Sequence, residues 1–497
     1  MRRVVIPPLF DPSLEPDLGP GPDRNVELLD VNAHFIARLT STGALGEPAG
    51  GYALGGGSGT DTAAARTRAL FARAAARITA RGSHDAGRLR AMGVALRLAG
   101  ENDPALRLAA DDVELVDGTT ESGADVVLAA QRTGLLGPEA RWAREIAGDR
   151  VVHLVIETDQ QLPAAAVLLE AVGPERVVLC GRFAGAHRKA LRELAPFSAA
   201  VGFDDWSPTW RLRKEWSGDG TRIHWVRRAA DWKAGIAWAG WLAPEEAVAL
   251  PGEAWRECRG AALTVARLTS WAEVTGTDGS RTDLRPVLEL VGESLLAVEL
   301  LVGAPGVSAE ETGATARSLL RGPGPRLAGL SPFRLPADHG GRATATWDGV
   351  PLTRHTSPGH DLPRWDRFGA PGTLDEAERT AVIAGLNTEF GAVADLYPGR
   401  FACCVLDSGA GSRPVPPVWE PSAAVVAESG PGPDDRGPGS FVVNLRTGSA
   451  FRLHPKLTPV VERLSSGDTA VLDRISDAVR TKLTGRLLQA GVMRRSQ

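Results

Sequence analysis

The sequence predicts an α/β protein with a Rossmann-like open parallel sheet near its N-terminus, and three stretches of the chain carry this prediction. Residues 150–185 contain two apolar, β-branched segments on either side of a short helical pattern. Residues 294–332 repeat that order of strand, helix and strand. Residues 441–453 alternate as two strands around a Thr-Gly turn. Parallel strands joined by helices are the building units of α/β domains, so the first two stretches decide the class.

The first of these stretches is the clearest unit. Val151 to Ile156 is a continuous apolar run, typical of a strand that is covered on both faces. Pro163 stands where the first turn of a helix tolerates a missing N–H, and Gly173 ends the helix. Arg176 to Cys180 is the next strand. Gly181 opens the loop at its carboxyl end, where doubly wound sheets bind their ligands.

Further strands are predicted on both sides of this unit. Val4 to Phe10 reads as the first strand of the chain, and Asn25 to Leu39 reads as a second strand that runs into a helix. Ala199 to Gly202 is the last short strand of the first domain. The loops that follow these strands are expected to meet in one crevice at the carboxyl edge of the sheet.

This order of segments resembles a known family. A strand ending in Pro-Pro, one ending in Leu-Asp-Val-Asn, one followed by Gln-Gln and one ending at Gly are similar to the cobalamin-binding domain of cobalamin-dependent radical S-adenosylmethionine enzymes, especially those that modify ribosomally made peptides. The resemblance covers roughly the first two hundred residues. It implies a cobalamin ligand in the crevice, and it assigns the binding to these residues: Pro8, Asp159, Gln160, Gln161, Gly181 and Gly185.

The cysteines depart from that family. Radical S-adenosylmethionine enzymes hold a four-iron cluster with three thiolates, usually spaced C-x3-C-x2-C. This chain has four cysteines, at 180, 258, 403 and 404, and no three of them form such a cradle. Cys258 lies about where the triplet should follow the cobalamin domain, but Arg, Gly, Ala, Ala and Leu come after it. We therefore expect no iron–sulfur cluster. We expect the protein to be a relative of these enzymes that lacks their radical chemistry.

Composition narrows the class of protein further. The chain has 497 residues, 43% of them hydrophobic, and a net charge of −4. That charge gives no general attraction to nucleic acid or to anionic membranes. Unpaired cysteine spacing argues against a secreted disulfide scaffold, and the apolar N-terminal run is broken by Pro7 and Pro8. No window reaches the roughly 18 apolar residues that a membrane span needs. A soluble protein of the cytoplasm is therefore expected.

The middle of the chain holds three weaker signals. Nine tryptophans between 206 and 271 predict either a binding interface or the packing of two domains. His339, His355, His360 and Asp361 form the only histidine cluster, but their spacing fits no closed zinc pattern and a solvated loop is favoured. The glycine run 55–62 precedes a helix but lacks the Lys-Ser/Thr of a phosphate-binding loop, so a connector is favoured.

Residues 281–335 contain a second crossover unit. Ser294 to Pro305 is a predicted strand, and Ser308 with Glu311 forms a capping box ahead of a helix. The unit resembles a remnant of the partial barrel of radical enzymes, and it would equally fit another α/β domain. Thr373 with Glu376 predicts one more helix start, and the Pro-, Gly- and Ser-rich residues 408–440 predict a linker or mobile loop.

The C-terminal segment carries a second resemblance. A hairpin of Phe441 to Leu445 and Ala450 to Leu453 is followed by three short helices, the last ending at Gly491. This order is similar to the small winged-helix peptide-recognition domain of ribosomal-peptide biosynthesis, typified by the peptide chaperone of pyrroloquinoline quinone assembly. Such domains add a leader peptide to a strand edge. The alternative is a winged helix that serves as a structural cap. The residues expected to bind peptide are Val442, Val443, Leu445, Phe451 and Leu453.

Together these observations predict an α/β protein with a Rossmann-like open parallel sheet, a degenerate partial (β/α)-barrel-like domain and a small winged-helix domain. The predicted bounds are 1–206, 207–407, a linker at 408–440, and 441–497. The expected function is that of a non-catalytic partner in maturation of a ribosomally synthesised peptide, which binds the precursor peptide or an active radical S-adenosylmethionine enzyme encoded nearby. Two alternatives stay open: a cobalamin-dependent peptide-modifying methyltransferase component, and a cobalamin-sensing DNA-binding regulator.

Overall fold

The computed structural model divides the chain into two compact units. The first unit is Met1–Asn32, Glu114–Arg132 and Leu136–Ala410, and the second is Ala33–Val113, Thr133–Leu135 and Gly411–Gln497. These bounds differ from the predicted ones, because residues 33–113 belong with the C-terminal segment. The structure describes residues 2–17, 26–41, 62–82, 86–109, 112–217, 220–291, 296–321, 325–337, 344–355, 359–390, 418–429, 432–434 and 436–494.

The elements are numbered in chain order. The strands are β1 (Arg2–Ile6), β2 (Leu14–Asp17), β3 (Val26–Asp30), β4 (Leu106–Leu108), β5 (Val113–Leu115), β6 (Val152–Val155), β7 (Val177–Cys180), β8 (Gly202–Phe203), β9 (Thr209–Leu212), β10 (His224–Val226), β11 (Trp238–Leu242), β12 (Cys258–Val265), β13 (Arg267–Ser270), β14 (Glu273–Thr275), β15 (Arg281–Thr282), β16 (Leu296–Val302), β17 (Arg326–Pro332), β18 (Leu335–Pro336), β19 (Thr344–Trp347), β20 (Val350–His355), β21 (Trp365–Gly369), β22 (Val418–Trp419), β23 (Ala423–Glu428), β24 (Gly439–Asn444), β25 (Ser449–Arg452) and β26 (Met493–Arg494). The helices are α1 (Val31–Leu39), α2 (Thr62–Ala80), α3 (Ala86–Gly100), α4 (Gly123–Arg132), α5 (Gly137–Ala147), α6 (Leu162–Val172), α7 (Arg182–Ala186), α8 (Arg188–Glu193), α9 (Pro244–Ala249), α10 (Gly252–Arg256), α11 (Arg285–Val291), α12 (Ala309–Arg321), α13 (Glu376–Phe390), α14 (Thr458–Ser465) and α15 (Asp477–Gln489).

The first unit contains a five-stranded parallel sheet, sheet A, in the order β3-β1-β6-β7-β8. Counted along the chain, these strands stand in the doubly wound order 2-1-3-4-5, so the predicted Rossmann-like sheet is confirmed. The order reverses between β1 and β6. In open α/β sheets the crevice at such a reversal, beyond the carboxyl ends of the strands, is where ligands bind.

Helix α6 joins β6 to β7 as the sequence predicts. Eight of its eleven residues are buried, and it packs on α4 and α5. The helix ends at Gly173, where φ is +103°. After β7, Gly181 has φ of +99°, and a Cβ added there would lie 2.4 Å from the Ile156 carbonyl oxygen. Only glycine fits this close approach of two strand ends.

The first unit also contains a seven-stranded mixed sheet, sheet B, in the order β17-β16-β12-β11-β10-β9-β2. Strands β10, β11, β12, β16 and β17 are parallel and adjacent in chain order, which gives the half-barrel that the sequence predicts. Two antiparallel strands, β9 and β2, extend the sheet. Strand β2 was missed because its four residues follow a Pro-rich turn and have no apolar run.

Most of the tryptophan-dense segment lies within the first unit's packing. Trp238 and Trp255 meet edge to face, with ring centroids 5.3 Å apart, in the apolar core between sheet B and helices α9 to α13. Trp210 and Trp225 are register partners on the opposite face of the sheet, and both are buried. The two predicted roles were a binding interface and the packing of two domains. These four indoles instead pack inside a single unit.

The second unit is built on a three-stranded antiparallel sheet, sheet C, in the order β23-β24-β25. The predicted hairpin is confirmed: β24 and β25 pair from Phe441 with Arg452 to Asn444 with Ser449, and Gly448 in the turn has φ of +64°. One face of the sheet packs on Leu70, Ala74, Ala75 and Ile78 of α2. The other face packs on α14 and α15.

Strand β23 lies inside the stretch predicted as a linker. Five of its six residues, AAVVAE, are buried. The strand was not predicted because the residues on both sides of it are rich in Pro, Gly and Ser. The start of α13 also differs from its prediction. Asp375 and Glu378 exchange side-chain and backbone hydrogen bonds of 2.8 Å each, so they form the capping box in place of Thr373 and Glu376.

Some sequence predictions fall on residues that the structure does not describe. These are the glycine run up to residue 61, His339, Cys403 and Cys404, and residues 408–417, 430, 431 and 435 of the predicted linker.

Candidate functional site

The crevice of sheet A is bridged by Gln161. Its side-chain amide donates to the Pro7 carbonyl at the end of β1, at 3.2 Å, and so crosses the point between β1 and β6 where the strand order reverses. Its Oε1 accepts from the backbone N–H groups of Glu157, at 2.8 Å, and of Thr158, at 3.3 Å. Gln161 is completely buried. The residue predicted to bind a ligand therefore holds the two strand ends together.

Asp159 in the same loop is engaged by the first unit's own chain. Its Oδ2 accepts from the Thr120 hydroxyl at 2.7 Å, and its Oδ1 accepts from the Arg364 guanidinium at 2.9 Å. Next to Arg364, Leu362 donates its backbone N–H to the Glu121 carbonyl at 3.0 Å. Residues 361–364 are thereby fixed against this edge of sheet A, and the Asp159 carboxylate has a partner on each oxygen.

An ion pair with a buried carboxylate lies beside these residues, and it was not predicted from the sequence. The Glu157 carboxylate has a side chain with no exposed surface, and it accepts from Arg182 Nε and from the Ser207 hydroxyl, each at 2.6 Å. Glu157 follows β6, and Arg182 follows Gly181 after β7. The sequence feature that could have indicated this pair is a charged residue placed directly after a buried strand. The pair joins the ends of β6 and β7 to the segment after β8.

The contacts of the predicted cobalamin-binding residues indicate whether they are available to bind a corrin. Asp159 and Gln161 have their polar atoms occupied by the chain, and Gly181 is required by the Ile156 carbonyl. Gly185 has open space where a side chain would be, Pro8 is buried, and Gln160 is half-buried. The residues at the strand reversal therefore do not fit a corrin that needs polar contacts there. Their arrangement matches a closed sheet edge instead.

The half-barrel carries a row of polar side chains on the face opposite its helices. The Trp241 indole donates to the Thr264 hydroxyl at 2.6 Å, and Thr264 donates to the Glu299 carboxylate at 3.0 Å. The Ser331 hydroxyl donates to the other oxygen of Glu299. The row runs across β11, β12, β16 and β17. The sequence contains one signal of this row, the single charged residue in LAVELLV. It was missed because the segment was interpreted as a fully apolar strand.

The cysteines of the described residues lie away from the functional edge of the half-barrel. Active sites of (β/α) barrels form at the carboxyl ends of the strands. Cys258 is the first residue of β12, at the amino end, and burial raises the pKa of its thiol to about 12. A thiol held protonated in this way is a poor metal ligand. Cys180 ends β7 in the other sheet and is buried.

The predicted peptide-binding residues lie mostly in the core of the second unit. Val442 and Val443 are completely buried in β24, which pairs with β23 on one side and β25 on the other. They cannot offer a free strand edge, so the predicted pairing position is corrected. Leu445 and Leu453 are buried against α2 and against α14 and α15, respectively. Phe451 alone lies on the outer strand and is half-buried.

Strand β25 is the outer strand of the hairpin and, within the described part of the chain, pairs only with β24. The Leu453 N–H donates to the Ser440 carbonyl, at 2.7 Å. Hydrogen-bonded pairs alternate along an antiparallel ladder, so the backbone groups of Phe451 and Ser449 also face β24. Those of Ala450 and Arg452 face the opposite way, away from the sheet. This edge offers N–H and C=O groups in strand spacing.

The comparisons with known proteins add no relationship. No family model, curated protein or solved structure matches this chain.

The described residues of the histidine cluster do not assemble into a metal site. His355 is exposed on β20, whereas His360 is bonded through Nδ1 to the Glu121 carboxylate at 3.0 Å, and Asp361 accepts from the Gly123 N–H at 2.7 Å. His360 and Asp361 are thus bonded to the chain at and just before the start of α4, although Asp361 itself is exposed. Over the residues that the structure describes, no group of three or more His, Cys, Asp or Glu is placed to hold a metal ion.

Among the described residues, no helix is both long and apolar enough to cross a membrane.

Proposed function

We propose that this protein is a non-catalytic partner in the maturation of a ribosomally synthesised peptide, and that it holds the precursor peptide along β25. The observation that carries the proposal is the outward-facing backbone of Ala450 and Arg452. An extended peptide that adds to such an edge gains a register of main-chain hydrogen bonds. The resemblance of the hairpin and its helices to peptide-recognition domains favours this occupant.

The packing of sheet C leaves the strand edge as the route for binding. One face of the sheet is covered by α2, and the other is covered by α14 and α15. A peptide therefore has no apolar face of the sheet to lie on. Pairing with β25 instead extends the sheet without displacing either helical layer.

The half-barrel supports the proposal that this chain holds no iron–sulfur cluster. The described loops that follow β10, β11, β12, β16 and β17 contain no cysteine. An iron–sulfur cluster needs several thiolates close together. The thiol of Cys258 lies at the other edge, with a raised pKa. We infer that radical chemistry is supplied by a separate enzyme, and a radical S-adenosylmethionine enzyme encoded nearby is the proposed second partner.

The test measures peptide binding by fluorescence anisotropy, with the full chain and a labelled precursor peptide from the same gene neighbourhood. The decisive variant is Ala450→Pro. It removes an outward N–H but no hydrogen bond to β24, and proline is tolerated at such positions of edge strands. Because one net hydrogen bond is worth about 1 kcal/mol and the ring also obstructs the approaching strand, we expect binding at least about tenfold weaker.

The matched control is Ala450→Val, which keeps the N–H and suits a strand. It should bind as the unchanged protein does. Equal affinity of the proline and valine variants, with circular dichroism unchanged in both, would remove β25 as the binding edge.

Two cofactor measurements separate this proposal from a cobalamin-dependent methyltransferase component. After anaerobic reconstitution we expect no stoichiometric iron and sulfide. After incubation with hydroxocobalamin, we expect the corrin spectrum to separate from the protein on gel filtration, because Gln161 and Asp159 are already bonded within the first unit. Retention of corrin through the column would favour the methyltransferase alternative.

A further inference from the structure

Arg486 lies directly beside the proposed binding edge. Its guanidinium carbon is 5.3 Å from the centroid of the Phe451 ring, within the range of a cation–π contact. Arg486 is exposed on α15, and Lys482 is exposed one turn earlier on the same face of that helix. Among the described residues neither side chain forms an ion pair. Arg486 therefore places a positive charge, without an ion-pair partner among the described residues, on the side of β25 towards which Phe451 points, and Lys482 adds a second one on the same face of α15.

We propose that the peptide segment held by β25 is acidic, with a carboxylate at the position opposite Phe451. This inference rests on the proposed function, because it concerns the chemistry of the strand that would pair with β25. The occupant is a peptide and not a nucleic acid, since outward N–H and C=O groups in strand spacing complement another polypeptide backbone.

The position of the carboxylate follows from the ladder. Ala450 and Arg452 would form the hydrogen-bonded pairs with an antiparallel peptide, so Phe451 would stand in a non-hydrogen-bonded pair. Side chains in such pairs lie closest, with Cβ atoms about 4.5 Å apart, and they point to the same face. The peptide side chain opposite Phe451 thus comes next to Arg486. An Asp or Glu there could accept both N–H groups of one guanidinium edge.

On the other face of β25, the strand's own arginine is already occupied. Arg452 points there and is already paired, with both oxygens of Asp434 at 2.8 Å from its guanidinium nitrogens. Its ring contact, 4.7 Å to the Phe441 centroid, holds the guanidinium against the sheet. Alternate residues of the bound peptide would therefore meet different surroundings, and the acidic preference is confined to the Arg486 side.

The test uses charge reversal on both partners in the full chain. The protein variants are Arg486→Glu, Arg486→Lys as the conservative change, and Arg474→Glu as a matched control at another exposed arginine of the same unit. The probes are the labelled precursor peptide and a version with every Asp and Glu replaced by Asn and Gln. Anisotropy is measured at low salt and at several added salt concentrations.

We expect Arg486→Glu to weaken binding of the natural peptide at least tenfold. Arg486→Lys should weaken it less, because lysine keeps the charge but not the guanidinium edge. Arg474→Glu should change it less than threefold. The neutralised peptide should bind the unchanged protein and Arg486→Glu equally, and with a weaker dependence on salt.

Three results would overturn the inference in distinguishable ways. If Arg486→Glu binds the natural peptide normally while Ala450→Pro does not, the edge is correct and the acidic preference is wrong. If neither variant loses affinity, or the unchanged protein does not bind the peptide, the proposed function fails and the acidic preference fails with it. Tighter binding of a labelled oligonucleotide, lost in Arg486→Glu, would assign the charge to nucleic acid instead.

Discussion

The carboxyl edge of sheet A and the outer edge of sheet C differ in whether their polar groups have hydrogen-bond partners. At the first, Gln161, Asp159 and Glu157 are bonded to neighbouring segments of the same unit. At the second, the backbone groups of Ala450 and Arg452 face away from the only strand that pairs with β25 in the described residues. The predicted ligand crevice is thus closed by side chains, whereas the hairpin keeps an open row of donors and acceptors.

The difference shows that a strand order typical of ligand binding does not by itself provide a site. Sheet A has the order 2-1-3-4-5 and the reversal between β1 and β6 at which ligands bind in similar sheets. A buried glutamine occupies that reversal. Function then depends on which polar groups the fold leaves unsatisfied, and in sheet C those groups belong to the backbone.

The largest effect is expected from proline in the central strand of sheet C. Val443→Pro should destabilise the second unit by more than about 3 kcal/mol, because it removes a ladder donor between two paired strands. Ala450→Pro, on the outer strand, should cost less than about 1 kcal/mol. Hydrogen exchange of the β24 amides measures both. Similar exchange rates in the two variants would mean that β25 is not the open edge.

The next effect tests the closed edge at its tightest contact. Gly181→Ala should destabilise the first unit by about 3 kcal/mol, because φ is +99° and the new Cβ would meet the Ile156 carbonyl oxygen at 2.4 Å. Gly185→Ala is the control, since it has nothing within 4 Å of its Cβ position and lies in α7. Urea unfolding followed by tryptophan fluorescence reports this unit, which contains every tryptophan except Trp419. Equal midpoints for the two variants would contradict the role assigned to Gly181.

Removal of the buried carboxylate should have a somewhat smaller effect. Glu157→Ala should cost about 2 kcal/mol, since it leaves the Arg182 guanidinium and the Ser207 hydroxyl without their shared partner, and Arg182 is partly solvated. Glu170→Ala, at an exposed position of α6, is the control and should change stability little. The same fluorescence measurement applies. A stabilised Glu157 variant would indicate that the carboxylate is kept for binding rather than for closing the edge.

The smallest effect concerns the acid dependence of the hairpin. The Arg452 guanidinium lowers the pKa of Asp434 to about 2. A lowered pKa stabilises the folded state above the ordinary Asp value, and this contribution is lost as the pH falls towards 2. Asp434→Asn should therefore weaken hairpin protection in hydrogen exchange at pH 5, and the difference from the unchanged protein should vanish near pH 2. A constant difference across this range would rule out the ion pair as its cause.

The sequence predicts local units well and distant pairings poorly. Continuous apolar runs with Pro and Gly at the helix ends located β6, α6 and β7 within one or two residues. The Thr-Gly turn located β24 and β25. These elements are fixed by contacts between near neighbours. Strand β2, by contrast, pairs with β9 nearly two hundred residues later, and nothing in its own four residues specifies that partner.

The candidate site could be predicted only in part. The loops after β1, β6 and β7 do meet at the edge of sheet A, but the pattern could not show that Gln161 bonds to Pro7 or that Arg364 bonds to Asp159. On the hairpin, an apolar alternation marks both a buried face and a binding face. Val442 and Phe451 look alike in sequence, and only the position of β23 decides which of their strands is outermost.

The discontinuous second unit has a consequence for the order of events during translation. The apolar side of α2, formed by Leu70, Ala74, Ala75 and Ile78, packs on a sheet whose first strand begins at Ala423. About 340 residues separate them, which at ribosomal rates corresponds to roughly 17 to 70 seconds of synthesis. Throughout that interval the nascent chain has α2 but not its sheet. The growing polypeptide therefore presents a hydrophobic stripe to chaperones long before the segment that covers it has been made.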